Sequence, residues 1–175
     1  MLQFGDAAPA FVLTGVDGKK HSLADHKQKK AIAVIFSCNH CPYVKAYDDR
    51  MIALAREYAA KGVQFLLINA NDPVKYPSDN FDQMVSHARE KNYPFPYLHD
   101  ATQEIAKAYG AQRTPEIFLF DGALMLRYHG TVDDKADDAN AVTKRYLKDA
   151  LDAVLVGKEP IVKETAAVGC TIKWK

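Results

Sequence analysis

Long apolar runs, an excess of charge of either sign, and enough cysteines to staple a fold are all missing from this 175-residue chain. The longest unbroken apolar stretch is Ala31–Phe36, far short of the roughly 20 residues that span a bilayer, so no membrane partner is expected. Lys and Arg total 23 against 22 Asp and Glu, a formal charge of +1. No surplus of basic side chains exists to neutralise phosphates, which argues against a nucleic-acid partner. Three cysteines are too few for a disulfide scaffold, and an odd number does not pair fully within one chain. No basic leader precedes Ala7–Leu13, which Pro9 interrupts, so the expected setting is soluble and cytoplasmic. There is no repeat and no Gly/Ser linker. A single domain over residues 1–175 is expected, large enough to bury a core given 48% apolar residues.

What is present has α/β order. Phe11–Leu13 and Lys20–Leu23 flank an Asp17-Gly18 turn and read as a hairpin. Ala31–Ser37 is apolar on both alternations, as a strand buried on both faces must be. Tyr43, Tyr47, Met51, Leu54 and Tyr58 then recur at helical spacing up to Gly62. Val63–Asn69 is a second buried strand, so the unit is a parallel crossover. A helix is predicted over Asn80–Lys91, and another over Ala101–Tyr109, capped by Asp100 with Gln103 in the reciprocal position. Glu116–Phe120 and Ala123–Tyr128 form a second hairpin around Asp121-Gly122, and a last amphipathic helix runs from about Val142 to Leu155. The fold class is therefore α/β, a mixed central sheet with helices on both faces, an N-terminal hairpin and a C-terminal extension.

Between the first buried strand and the first helix stands Cys38-Asn39-His40-Cys41-Pro42. Thiols react as thiolates, and an ordinary cysteine titrates at about 8.5, so a redox cysteine needs help to ionise. A helix N-terminus supplies unpaired N–H groups and partial positive charge. A protonated His40 would add a cation for Cys38, and Cys41 lies one turn on, within reach of a disulfide. Pro42 is tolerated because the first turn needs no N–H there. A zinc knuckle would need a second ligand pair, and only Cys170 and scattered histidines remain, so neither metal nor cofactor is expected. Inert buried cysteines are the other bland alternative. Asn69, Asn71 and Asp72, and the group Asp133, Asp134, Asp137 and Asp138, read as solvated loops. His21, His26, His87, His99 and His129 have no catalytic spacing, and Cys170 reads as a packed tail cysteine.

The opening Gly5–Leu13 with Asp17-Gly18-Lys19, the Cys38–Cys41 motif, the passage from Tyr109-Gly110 to Thr114-Pro115, and Glu116–Asp121 together resemble one family. It is the alkyl hydroperoxide reductase/thiol-specific antioxidant (redoxin) branch of the thioredoxin superfamily. The likeness is closest to its peroxiredoxin-like group with a Cys-x-x-Cys motif and a Gly-Cys-x-Ile-Lys-Trp tail, here Gly169–Trp174. The resemblance implies a thioredoxin-like fold and a cis Thr114–Pro115 peptide facing the cysteines. It also implies that Thr114 and Pro115 offer backbone groups to an extended substrate. The implied function is thiol–disulfide exchange on protein or small-molecule disulfides, with a thiol system as electron donor or acceptor. An exposed Cys38 would attack and Cys41 would resolve, supported by Asn39, His40 and Pro42.

Two alternatives stand beside it. In a peroxiredoxin-like peroxidase with antioxidant activity, Cys41, followed by Pro42, would be the nucleophile, resolved by Cys38 or Cys170. The Thr of that pattern is replaced here by Cys38 and its Arg by Pro115, with Arg113 two residues away. The third alternative is a redox-inert binding module that keeps the fold. Thioredoxin's buried acid corresponds to Ile32 and its Gly-Pro to Asn39-His40, which predicts a couple of roughly −230 to −180 mV, more oxidising than thioredoxin.

Overall fold

Burial and strand propensity coincide at the centre of the chain. In a computed structural model that describes residues 2–175, β3 (Ala31–Phe36) has all six residues buried. It pairs in parallel with β4 (Val63–Asn69) and antiparallel with β7 (Glu116–Asp121). The hairpin strands β1 (Val12–Gly15) and β2 (Lys20–Ser22), with β5 (Tyr97–His99) and β8 (Leu126–Gly130), complete a seven-stranded mixed sheet of order β2-β1-β5-β4-β3-β7-β8. The Asp17-Gly18 turn forms as expected, with Gly18 at φ 78°, a conformation that costs glycine little. Short strands β6 (Arg113–Thr114) and β9 (Cys170–Thr171) make a separate two-stranded ladder.

The period of two along β3 sends alternate residues to two cores. Ala31, Ala33 and Ile35 pack with α1 (Pro42–Ala59), α2 (Phe81–Lys91) and α4 (Tyr146–Leu155), through Tyr47, Met51, Tyr58, Met84, Leu147 and Leu151. Ile32, Val34 and Phe36 face α3 (Glu104–Tyr109) and Phe11, together with Ile172 of the tail. Tyr109 and Phe118 meet edge-to-face at 5.5 Å, and Phe36 joins both. Helices thus cover both faces, as the α/β reading requires. Among the described residues, no helix is long and apolar enough to cross a membrane.

Several boundaries differ from expectation, each for a tertiary reason. Helix α3 starts at Glu104, not Ala101, and Gln103 takes a left-handed φ of 67°. Asp100 still caps, accepting the Ala106 N–H at 2.8 Å, but the Gln103 amide reaches away to the Ala70 and Lys173 carbonyls. The second hairpin closes through a longer loop with Leu124 at φ 61°, because Asp121 Oδ1 gathers the N–H groups of Ala123 and Met125. The last helix starts at Tyr146, after a 3-10 turn at Ala139–Ala141. Asp133 is buried, not solvated: Arg50 Nη1 donates to both its carboxylate oxygens at 2.9 and 2.8 Å.

Phe118 is fully buried between Phe36, Tyr109 and His129. Phe118→Ala is expected to lower unfolding free energy by about 3–5 kcal/mol, read from equilibrium urea denaturation. A loss below about 1 kcal/mol would contradict this packing.

Candidate active site

The Ser37 N–H continues the β3–β4 ladder to the Ile68 carbonyl at 2.8 Å, and the chain then leaves the sheet. Cys41 is the N-cap of the 18-residue α1, and Pro42 opens its first turn. The helix N-terminus is therefore centred on Cys41, not on Cys38. Both thiols are buried, with Cys38 at 1% and Cys41 at 3% exposure. The exposed Cys38 expected from sequence is corrected in its exposure: its sulfur is buried, because the chain turns inward immediately after β3. Both sulfurs converge on Thr114. Cys38 Sγ lies 3.4 Å from the Thr114 hydroxyl, and Cys41 Sγ lies 3.5 Å from the Thr114 carbonyl oxygen. The Thr114–Pro115 peptide is cis, as the resemblance implies.

Two adjacent thiols share one ionisation unequally. A hydrogen bond from Cys38 brings Cys41 down to about 4 from its ordinary 9.0. Burial opposes that shift, while the Cys170 thiol and the N–H groups of Val44 and Cys170 reinforce it. Cys38 is pushed well above the thiol range, first by its bond to Cys41, then by burial, with the negative charge of Asp79 adding to both. Of the two thiols, Cys41 is the one whose pKa is lowered, and it is the one seated at the α1 N-terminus.

His40 and Asn39 act through Asp79, a residue the sequence reading passed over. Asp79 is completely buried and accepts from the Asn39 N–H at 2.8 Å, Asn69 Nδ2 at 3.1 Å and Asn71 Nδ2 at 3.0 Å. His40 Nδ1 lies 3.0 Å from Asp79 Oδ2 and 3.1 Å from the Ser78 hydroxyl. The imidazole therefore serves the carboxylate, where sequence reasoning had it serving the Cys38 thiolate. Asn39 is pinned further by Tyr97, whose hydroxyl donates to Asn39 Oδ1 at 2.6 Å, and its own Nδ2 donates to the Ser78 carbonyl. Asn69, Asn71 and Asp72 are buried and not a solvated loop. Their proximity to the motif in space had no local signal, since Asp79 follows a Pro-rich loop and looks like a helix-start residue.

Thr114 and Pro115 lie beside the cysteines as expected, but the backbone edge meant for an incoming peptide already carries β9. Thr114 faces Cys170 directly across the ladder, and Arg113 faces Thr171. A Cβ on Gly169 would stand 2.1 Å from the Thr114 carbonyl oxygen, so only glycine allows this approach. The tail is fastened on the far side of Cys170: the Ile172 N–H donates to Gln112 O, the Lys173 N–H to Asn71 Oδ1, and Asp72 N–H and Gln103 Nε2 donate to Lys173 O. Buried Glu116 holds the receiving strand, accepting the N–H groups of Gln112 and Arg113 at 2.9 Å each and facing His129 Nε2 at 2.7 Å. Arg113 Nη1 donates to the Gly169 carbonyl at 3.0 Å, so its guanidinium clamps the tail. Cys170, read as a remote packed cysteine, packs against the Cys38, Cys41 and Val44 cluster. Only the Gly-Cys-x-Ile-Lys-Trp tail of the resemblance could have hinted at this.

A mixed sheet with a dithiol at a helix N-terminus, facing a cis-proline, defines a thioredoxin-like redox protein. The family model described as Redoxin matches residues 3–145, and the chain belongs to that family. It is 28% identical over 119 residues to the thiol-disulfide oxidoreductase ResA of Geobacillus thermodenitrificans, which takes in 67% of this chain and 63% of that protein. It is 31% identical over 122 residues to the thiol-disulfide oxidoreductase ResA of Bacillus thuringiensis, taking in 69% and 65%. The chain thus spans about 63–65% of the length of these curated relatives. The crystal structure of an uncharacterized conserved protein from Geobacillus kaustophilus superposes with TM-score 0.94 at 44% identity, covering 100% of this chain and 94% of that one. A hypothetical protein from Sinorhizobium meliloti 1021 gives TM-score 0.94 at 37% identity, covering 100% and 96%. Peroxidoxin BcpB from Mycobacterium tuberculosis shares the fold, with TM-score 0.61 at 18% identity over 73% of this chain and 84% of that one.

Removing the acceptor at Asp79 strands several buried donors, so Asp79→Ala is expected to cost about 3 kcal/mol in urea denaturation. An unchanged midpoint would contradict the arrangement. The Cys41 thiolate has a pH signature of stated sign. Its pKa is depressed on folding, so the stability it lends the reduced form is complete above 9.0 and is lost as the pH falls toward about 4. Absorbance at 240 nm of the reduced protein should show one thiolate titrating in the acid range and absent from Cys41→Ser. Thiolate appearing only above about pH 8 would overturn the assignment.

Proposed function

We propose that the chain is a thiol–disulfide oxidoreductase whose nucleophile is Cys41 and whose partner thiol is Cys38. One observation carries this reading: both motif sulfurs converge on Thr114 at the start of α1, where Cys41 is the N-cap and its pKa is lowered by the adjacent Cys38 thiol. The Cys41 thiolate attacks a substrate disulfide RS–SR, forming Cys41–S–S–R and releasing RS⁻. Cys38 then attacks Cys41 Sγ, closing Cys38–Cys41 and releasing the second RS⁻, which leaves as the thiol with the Cys38 proton. Two protein thiols are oxidised and one disulfide is reduced. A thiol donor reverses the cycle. Thiolate stabilisation favours the dithiol, which supports a potential above thioredoxin's roughly −270 mV.

The substrate class favoured is a small-molecule disulfide. The β6 edge, where an extended peptide would add by strand pairing, is filled by β9, and both motif sulfurs are buried. A second reading, peroxide reduction with antioxidant effect, is favoured by the ionisation of Cys41 and not Cys38, since Cys41 is the cysteine followed by Pro42. Against it, Arg113 is engaged by the tail and supplies no cation to the sulfur.

The reduced protein treated with one equivalent of oxidised glutathione should end as a Cys38–Cys41 disulfide by peptide mapping, with two glutathiones released. Cys41→Ser should form neither that disulfide nor the intermediate. With a thiol regenerant present, kcat/KM for oxidised glutathione should exceed that for insulin disulfides by about tenfold or more. Unreacted thiols would leave a redox-inert binding module. Hydrogen peroxide converting Cys41 to sulfenic acid faster than glutathione reacts would favour the peroxidase.

A further inference from the structure

The redox centre holds three sulfurs. Cys170 enters it from a segment distant in sequence, yet its position is built: β9 sets it directly opposite Thr114, and the Thr114 carbonyl is the group that Cys41 Sγ touches at 3.5 Å. The lack of a side chain at Gly169 allows this approach, and the Arg113 guanidinium fixes the Gly169 carbonyl. Ile172, 3% exposed, anchors the other side in the core. Cys170 is half-buried, whereas Cys38 and Cys41 are at 1% and 3% exposure, so Cys170 is the sulfur of the three nearest to solvent.

We infer that Cys170 is a third redox residue, a second resolving thiol that closes a Cys41–Cys170 disulfide between β9 and the α1 N-terminus, which it packs against. The inference rests on the reading of Cys41 as the nucleophile. Once Cys41 carries a substrate half as Cys41–S–S–R, the Cys170 sulfur attacks Cys41 Sγ. The Cys41–Cys170 bond forms, the bond to R breaks, and RS⁻ leaves with the Cys170 proton as RSH. Cys38 next attacks Cys41 Sγ, giving Cys38–Cys41 and returning Cys170 to the thiol. The sum is unchanged, one external disulfide reduced by two protein thiols, but the intermediate disulfide includes the sulfur that lies toward solvent. Burial, and secondly the bond to Cys41, hold the Cys170 thiol above its ordinary range, and the second of these is lost when Cys41 enters the mixed disulfide. The part of that shift due to Cys41 ends once Cys41 has reacted, while the part due to burial persists.

The test uses the full chain as Cys38→Ser and as Cys38→Ser/Cys170→Ser, with Cys38→Ala versions as a check on folding by circular dichroism. Each reduced protein receives one equivalent of oxidised glutathione and is sampled by acid quench, alkylation and non-reducing peptide mapping. Cys38→Ser is expected to form an intramolecular Cys41–Cys170 cross-link. Its Cys41–glutathione adduct should be at least about tenfold shorter-lived than in the double variant, where it persists. A Cys41–glutathione adduct equally long-lived in both variants, with Cys170 alkylated as a free thiol, would overturn the inference while leaving Cys41 as the nucleophile. Absence of any Cys41 adduct in the double variant would overturn both.

Discussion

A thiol at 3% exposure ionises readily only with donors around it, and the lowered pKa of Cys41 draws on three directions of the fold. Helix α1 brings the Val44 N–H, the motif brings the Cys38 thiol, and the tail brings the thiol and N–H of Cys170. Each source depends on a different part of the fold. The helix is seated by Tyr47, Met51 and Tyr58 in one core. The tail is seated by Ile172 in the other. Cys41 is thus a point at which both faces of the sheet meet.

The same economy explains Asp79. A carboxylate with no exposure sits beside a redox motif because it has four polar partners from Asn39, His40, Asn69 and Asn71. Its charge raises the Cys38 thiol and so helps keep that residue protonated while Cys41 ionises. Where β3 carries Ile32 and no acid, the buried carboxyl near the motif comes from the segment after β4. A local comparison of β3 alone would report the acid as lost.

The closed edge at Thr114 separates this centre from an open peptide groove. A strand edge is a binding surface only while its N–H and C=O groups are free, and here β9 has taken them. An extended segment finds this edge of β6 already paired. The third cysteine, far away in sequence, packs against the Cys38–Cys41 pair.

By itself the sequence determined the α/β order, the buried pair of strands β3 and β4, the helix start at Pro42, the Cys38–Cys41 pair and, through resemblance, the family and the cis Thr114–Pro115 peptide. These are legible because periodicity, capping and turn chemistry act over a few residues. Tertiary structure decided which cysteine has the lowered pKa, what His40 touches, that Asn69, Asn71, Asp72 and Asp133 are buried, and that Cys170 packs against the motif. Ionisation depends on donors converging in space, and a tail residue meets Cys41 only after two hydrophobic cores have placed α1 and Ile172. No local pattern encodes that meeting, because the contacts that produce it are long-range packing and strand pairing.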